Sequence, residues 1–200
     1  MKKTLSILVI LSLLLTQKTN AQLERGNVLA GADLATFRIA LKSGQETSLQ
    51  LTPRAAWFIK DNVAIGPYVS LGYAAVKDSY TNFTYGIGAF GRYYVNKPDL
   101  SPLKQGRFFG AANVGIGGIN YNDKTPDDND RSTNGLDIGI GAGYAYFITT
   151  NISFEAQLRY NGTLGFGHEA YTNYLDFGLG FGIYLPGKST VNKVKSDIPQ

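Results

Sequence analysis

Apolar and polar residues alternate along most of the chain after Gln22, and no segment there carries a sustained apolar stripe of helical period. A period of two is typical of strands that have one apolar and one polar face. Turn-forming residues divide this alternation into segments, and the predicted strands are residues 26–41, 47–60, 63–76, 82–96, 107–121, 136–148, 152–161 and 174–185. The sequence therefore predicts an all-β domain of about eight strands.

The seventh predicted strand shows the alternation most clearly. One face consists of Ile152, Phe154, Ala156, Leu158 and Tyr160, and the other of Ser153, Glu155, Gln157, Arg159 and Asn161. The first predicted strand is less regular, because Asp33 and Arg38 fall in opposite phase. A β-bulge near Ala35 would reconcile the two positions.

Two architectures share this pattern: a soluble barrel or sandwich with its apolar face inward, and a membrane barrel with that face toward lipid. The apolar faces of strands two, three, four, six, seven and eight contain no charged residue, although 17% of the chain is charged. The opposite face is rich in glycine, which suits the narrow interior of an eight-stranded barrel and would weaken strands facing water. The pattern favours an eight-stranded, antiparallel, up-and-down transmembrane β-barrel.

The polar face also carries a nearly balanced set of charged residues. They are Asp33, Arg54, Arg92, Asp137, Glu155, Arg159 and Asp176. Charges enclosed together in a narrow lumen must pair and form hydrogen bonds. We therefore predict a charge network that closes the lumen, and the alternative is that the same residues line a narrow path for ions or small solutes.

Connection lengths and aromatic positions fit the membrane interpretation. Four connections would form outward loops: 42–46, 77–81, 122–135 and 162–173. Two would form tight turns at the opposite end of the barrel, 61–62 and 149–151, whereas 97–106 is long for a turn at that end. Aromatic residues near strand ends on the apolar face are predicted to form interfacial girdles: Trp57, Tyr73, Phe83, Tyr93, Tyr144, Tyr146 and Tyr160.

The N-terminus has the composition of a secretory signal peptide. Lys2 and Lys3 precede an apolar run at 5–15, and Thr19-Asn20-Ala21 resembles a cleavage site. A membrane anchor is the alternative, but this run is much shorter than the roughly 20 residues of a spanning helix. We predict a signal peptide at 1–21, cleaved after Ala21, a barrel at 22–186 and a flexible tail at 187–200.

Removal of the leader changes the charge of the chain. The full sequence has a formal charge of +4, but Lys2, Lys3 and Lys18 lie in the leader, which leaves a net charge of +1. This balance argues against a nucleic-acid-binding protein, which concentrates Lys and Arg on one face. The chain has no Cys, so neither a disulfide nor a lipoprotein anchor is available.

Two stretches carry a resemblance to a known family. Residues 53–73 read PRAAWFIKDNVAIGPYVSLGY, and residues 176–183 read DFGLGFGI. The chain resembles the small, porin-like outer-membrane β-barrel proteins of Gram-negative bacteria over roughly residues 26–185. The second stretch is similar to the segment by which the barrel-insertion machinery recognises its substrates, although this chain continues beyond it to Gln200. The resemblance implies an outer-membrane location, with membrane lipids and that machinery as partners.

We expect a monomeric barrel with a structural or surface-interaction role, a mostly plugged lumen and no enzymatic activity. The first alternative is a small porin. The second alternative is an outer-membrane lipid-modifying enzyme that uses His168, because some members of the resembled family modify lipids with a His near the outer surface.

Other motifs in the sequence are weaker. Residues 86–91, GIGAFG, match the spacing of a dinucleotide-binding loop, but strand formers follow where a helix is required. Asp123, Asp127, Asp128 and Asp130 could provide calcium ligands, yet they lack the spacing of an EF-hand loop, and a solvated acidic loop is the alternative. We expect no catalytic residue, metal or cofactor.

Overall fold

The computed structural model describes residues 23–38, 42, 44–95, 106–124, 131–166 and 171–187. The strands are β1 (Val28–Arg38), β2 (Glu46–Lys60), β3 (Val63–Val76), β4 (Tyr80–Tyr94), β5 (Gly106–Asp123), β6 (Arg131–Phe147), β7 (Ile152–Gly165) and β8 (Tyr171–Leu185). Neighbouring strands are antiparallel, and β1 also pairs with β8, which closes the barrel. The predicted eight-stranded, up-and-down barrel is confirmed. No helix in the described ranges is long and apolar enough to cross a membrane.

The strand bounds differ from the predicted ones mainly between β5 and β6 and between β7 and β8, where β7 and β8 extend into the predicted loop 162–173. β5 and β6 extend into the predicted loop 122–135, with Asn120 paired to Ser132 and Gly118 to Asn134. The outward side chains here are polar, so the apolar alternation ends while backbone pairing continues. Hydrophobic periodicity therefore marks the apolar belt of the barrel and not the full length of its strands.

A bulge interrupts the pairing of β1 with β2. The register shifts between Leu34 and Thr36, which confirms the bulge predicted near Ala35. Before the shift, Asp33 pairs with Thr52 and is almost completely buried on the lumen side. The bulge thus allows one strand to bring a carboxylate into the lumen despite its irregular alternation.

The outer surface of the barrel is apolar. The side chains of Ile140 and Leu175 are each 66% exposed and that of Phe154 is 63% exposed. Such residues occur on all eight strands, and together they form a belt much larger than the exposed apolar patches of soluble monomers. The belt is the surface that a lipid-facing barrel requires.

The two ends of the barrel have different connections. We call the end with the turns at 61–62 and 148–151 the turn end, and the opposite end, where β3 is joined to β4 at 77–79, the loop end. Asn62 and Asp78 adopt left-handed backbone angles, with φ of 65° and 59°. Both described chain ends, Leu23 and Gly187, lie at the turn end.

Five aromatic side chains fill the lumen at the turn end. This aromatic floor consists of Phe58, Tyr94, Phe109, Phe147 and Tyr184, each at most 4% exposed. The ring centroids of Phe147 and Tyr184 are 5.1 Å apart, and those of Tyr94 and Phe109 are 5.8 Å apart. These are the distances of packed aromatic pairs, so the rings close this end of the bore.

The segment 23–27 covers the aromatic floor from outside. Leu23 is buried, and its carbonyl accepts a hydrogen bond of 2.7 Å from the amide of Asn62. The amide of Gly26 donates to the carbonyl of Phe58 at 2.8 Å. The side chain of Asn27 accepts a hydrogen bond of 3.0 Å from the amide of Gly187. The chain entering β1 is therefore joined to the chain leaving β8.

Candidate functional site in the barrel lumen

Glu155 on β7 is the centre of an ionic cluster directly above the aromatic floor. Its Oε2 atom is 2.6 Å from Nη2 of Arg54 on β2 and 2.7 Å from Nη1 of Arg92 on β4. The side chains of Glu155, Arg92 and Arg54 are 0%, 1% and 4% exposed, respectively. A carboxylate between two guanidinium groups is the arrangement that a buried charge requires.

Asp33 and Arg159 extend this cluster toward β8. Arg54 also forms an ion pair with Asp33, and Nη1 of Arg159 lies 3.8 Å from Oδ2 of the same carboxylate. Nε of Arg159 is 3.4 Å from Oδ1 of Asp176, and Oδ2 of Asp176 accepts a hydrogen bond from Nδ2 of Asn161. Six of the seven charged residues predicted to face the lumen thus lie in one connected chain of ion pairs.

Asp137 is the seventh residue, and it lies apart from that chain. The hydroxyl of Tyr68 donates to its Oδ2 atom at 2.7 Å, and Nδ2 of Asn113 approaches the same atom at 3.5 Å. No ion pair with Asp137 occurs within the described ranges. Its hydrogen-bond partners are therefore neutral donors, although Arg54, Arg92 and Arg159 border the same cavity as this carboxylate, beyond ion-pair distance.

Glycines on adjacent strands provide the space for these charged side chains. Arg159 pairs with Gly141 across the β6–β7 ladder, and Glu155 pairs with Gly180 across the β7–β8 ladder. A Cβ atom on Gly141 would lie 2.6 Å from Cγ of Arg159, and one on Gly182 would lie 2.7 Å from Oε1 of Glu155. Any larger residue would therefore displace the ionic cluster.

Three uncharged residues that the sequence analysis did not assign to the charge network connect the ionic cluster to the aromatic floor. Tyr184 donates to Oε1 of Glu155 at 3.2 Å, and Ser153 donates to the same atom at 3.1 Å. The hydroxyls of Tyr94 and Tyr184 are 2.9 Å apart. The alternation of residues could have identified them, since all three fall on the lumen side of their strands near the turn end.

An aromatic ring also supports Arg92. Its guanidinium carbon lies 3.9 Å from the centroid of the Phe109 ring, and its Nη1 atom donates to the Tyr94 hydroxyl at 3.2 Å. A desolvated cation above an aromatic face is stabilised by the ring quadrupole. The aromatic floor thus contributes to holding the buried charges as well as closing the bore.

The space above the ionic cluster is small. A cavity of about 40 Å³ is bordered by Asp33, Arg54, Tyr68, Asp137 and Gln157, among others. A larger cavity of about 220 Å³, bordered by Glu46, Ser48 and Asn82, lies nearer the loop end. Gln50 borders both cavities. The lumen thus narrows from the loop end toward the ionic cluster and is filled below it.

The aromatic residues predicted to form girdles all lie on the outer face. At the turn end are Trp57, Tyr93, Tyr144 and Tyr146. At the loop end Tyr73 of β3 pairs with Phe83 of β4. Tyr160 pairs with Ile140 and Leu175 in the interior of β7. Their contact with the membrane interface stays a prediction.

Several sequence predictions concern residues that the structure does not describe. The signal peptide, the tail beyond Gly187, His168 and the aspartates at 127, 128 and 130 lie outside the described ranges. The motif at 86–91 lies wholly within β4, so no helix begins there and the dinucleotide interpretation has no structural basis. The described residues contain no group of three or more metal-ligating side chains.

Solved structures with the same architecture were found by comparison. Neisserial surface protein A (NspA) aligns with a TM-score of 0.52 at 18% identity, over 80% of this chain and 96% of that chain. Ail, the attachment invasion locus protein of Yersinia pestis, aligns with a TM-score of 0.50 at 12% identity, over 80% of this chain and 99% of that chain. No family model and no curated protein matches the sequence. The chain has the fold of the small, eight-stranded outer-membrane β-barrels.

Proposed function

We propose that this protein is an integral outer-membrane barrel with a plugged lumen and a structural or surface-interaction role, and that it is not an enzyme. The observation that carries the proposal is the buried bridge Arg54–Glu155–Arg92, which lies directly on the aromatic floor. A solute path would have to break these ion pairs and displace packed rings. The loops, and not the bore, are then the parts available to partners.

The apolar belt supports the membrane location. Large side chains such as Ile140 and Leu175 are exposed all round the barrel, where water would be an unfavourable neighbour. The turn end then faces the periplasm and the loop end the exterior, as in other outer-membrane barrels. Membrane lipids are thus the first partner of this surface.

The closed pairing of the strands bears on the oligomeric state. β1 and β8 pair with each other, so neither presents a free edge to a second copy, and we propose a monomer.

The outward residues Leu175, Phe177 and Leu179 of β8 keep the alternation of the segment that resembles the insertion signal. We propose that the barrel-insertion machinery reads this strand during assembly.

A narrow porin is the second candidate. It is favoured by one observation, the polar cavity of about 40 Å³ that continues below the larger cavity toward Asp33 and Arg159. Conduction would require the ionic cluster and the segment 23–27 to move aside. The lipid-modifying alternative depends on His168, for which the described residues provide no support.

Single-channel recording of the folded protein in a planar bilayer distinguishes these candidates. Folding is verified first by the different gel mobility of boiled and unboiled samples. We expect no discrete openings from protein that passes this control. Reproducible openings would contradict the plugged lumen and would make Arg54, Arg92 and Glu155 candidates for selectivity.

A further inference from the structure

Asp137 is a lumen carboxylate that the ionic cluster leaves uncompensated. It lies on β6 between Gly115 of β5 and Thr163 of β7 in the register of the barrel. Both of its hydrogen bonds, from Tyr68 and Asn113, end on Oδ2. Within the described ranges no Lys or Arg lies within ion-pair distance of it.

The charges of the seven charged residues at the ionic cluster and the smaller, inner cavity do not sum to zero. Three guanidinium groups, Arg54, Arg92 and Arg159, face four carboxylates, Asp33, Asp137, Glu155 and Asp176. Asp137 is half-buried and borders the inner cavity, where water screens its charge less than at an open surface, so a cation there would be favoured. The groups that contact the Oδ2 atom of Asp137, the hydroxyl of Tyr68 and the amide of Asn113, are uncharged and do not neutralise a carboxylate.

The cavity beside Asp137 contains further unsatisfied polar atoms. Gln157 is 3% exposed, and its Nε2 atom has no hydrogen-bond partner. Oδ1 of Asp33 is also buried without a partner. Both side chains border the same cavity as Asp137. Since the two ends of an amide are interchangeable by rotation, Gln157 can turn its oxygen toward a cation.

The size of the cavity limits the ligand. Its volume of about 40 Å³ equals roughly three water sites, since one water needs about 10–15 Å³. That space accepts a bare inorganic ion with one or two waters and excludes organic cations. The described residues form no cluster of three metal-ligating side chains, so a site for a divalent ion is not formed.

Among the described residues, the inner cavity continues toward the loop end and is closed toward the turn end. Gln50 borders both the inner cavity and the larger cavity toward the loop end, and Glu46 borders the larger one. At the other side Tyr94 and Tyr184 close the bore with hydroxyls 2.9 Å apart. A cation would therefore enter from the loop end, pass a carboxylate and stop above the ionic cluster.

We propose that Asp137, together with Gln157 and Oδ1 of Asp33, binds one monovalent inorganic cation, sodium or potassium, inside the barrel. The ion neutralises the excess carboxylate and fills the cavity above the plug. This site does not depend on whether the loops have a structural or an interaction role.

Sodium-23 NMR tests the proposal directly. The folded, full-length protein in a zwitterionic detergent is titrated with sodium chloride at constant ionic strength, with N-methylglucamine chloride as the balancing salt. We expect a saturable broadening of the sodium signal that potassium reverses. Asp137→Asn keeps an acceptor for Tyr68 but loses the charge, and it should weaken sodium binding by about tenfold or more.

Two more variants complete the experiment. Asp78→Asn is the matched control, since it removes one carboxylate from an exposed turn with φ of 59°, where Asn is well tolerated. It should bind sodium like the unmodified protein. Gln157→Leu retains Asp137 but places methyl groups in the cavity, and it should also weaken binding.

The proposal is overturned by any of three results. They are the absence of saturable broadening with the unmodified protein, unchanged broadening with Asp137→Asn, and equal loss of broadening with the control Asp78→Asn. If Asp137→Asn does not fold, as judged by gel mobility, then Gln157→Leu decides, and unchanged broadening with it overturns the site.

Discussion

Tyr94 and Tyr184 meet across the full width of the barrel, with their hydroxyl oxygens 2.9 Å apart. They belong to β4 and β8, which lie on opposite sides of the closed ring of strands. A contact at this distance leaves no passage between them. It also joins the aromatic floor below to Glu155 above, because Tyr184 donates to that carboxylate at 3.2 Å.

Glu155→Gln should destabilise the folded barrel strongly. The substitution keeps the size of the side chain but removes the charge shared by Arg54 and Arg92. Removing one partner of a buried ion pair costs about 3–5 kcal/mol, because the remaining charges stay buried. Urea unfolding in detergent micelles measures the change. The control Glu24→Gln, outside the barrel wall, should leave the midpoint unchanged, and an equally small effect at Glu155 would contradict the structural role of the cluster.

The alternation of residues was sufficient to predict much of this arrangement. Period two assigned Arg54, Glu155 and Arg159 to one face and correctly predicted the strands and the bulge at Ala35. It could not predict which charges meet. The partners of Glu155 are 101 and 63 residues away, and their contact depends on the stagger of strands around a closed barrel.

The aromatic floor shows a second limit of the pattern. Phe58 and Phe147 are apolar residues that face the lumen at the ends of their strands, whereas the prediction placed apolar side chains toward lipid. Below the ionic cluster the lumen is filled by buried aromatic side chains, so apolar residues occur on both faces of the strands there. A rule based on one apolar face does not apply where the barrel closes.

The effect of Ile140→Lys on stability should show whether the apolar belt faces lipid or water. Ile140 is 66% exposed near the middle of β6. A lysine on the lipid face costs about 2–4 kcal/mol at the bilayer midplane, whereas an exposed substitution on a soluble protein changes stability by roughly 0.5 kcal/mol or less. The measurement is the free energy of unfolding from phospholipid vesicles.

Asn120→Lys is the matched control for this prediction. Asn120 is also outward and exposed, but it lies near the loop end of β5, beyond the apolar belt. Asn120→Lys should lower the free energy of unfolding by about 0–1 kcal/mol, as expected for a lysine near the membrane interface. Equal small effects at both positions would indicate that Ile140 does not contact lipid.

Gly143→Ala should impair folding, while Gly86→Ala should be tolerated. A Cβ atom on Gly143 would overlap the ring of Phe109 and lie 2.6 Å from the carbonyl oxygen of Ala156. A Cβ atom on Gly86 has its nearest neighbour at 3.7 Å, an ordinary contact. Overpacking of this kind costs about 1–3 kcal/mol. The boiled and unboiled gel gives the folded fraction of each variant, and equal fractions would contradict the packing of the aromatic floor.

Asn27→Ala should loosen the turn end of the barrel. Asn27 is 2% exposed, and its side-chain oxygen accepts the amide hydrogen of the buried Gly187 at 3.0 Å. An unsatisfied buried donor costs about 1–3 kcal/mol, and this bond joins the two described ends of the chain. We expect a lower urea midpoint and faster hydrogen exchange at the Gly187 amide.

The exposed bond between Ser132 and Asn120, of 2.7 Å, provides the comparison, because water can replace it. Asn120→Ala should therefore change the midpoint by roughly 0.5 kcal/mol or less. If Asn27→Ala has an equally small effect and the Gly187 amide stays protected, segment 23–27 does not hold the turn end closed. A clear difference between the two variants would assign part of the closure to this segment, since the floor residues themselves are unchanged in both.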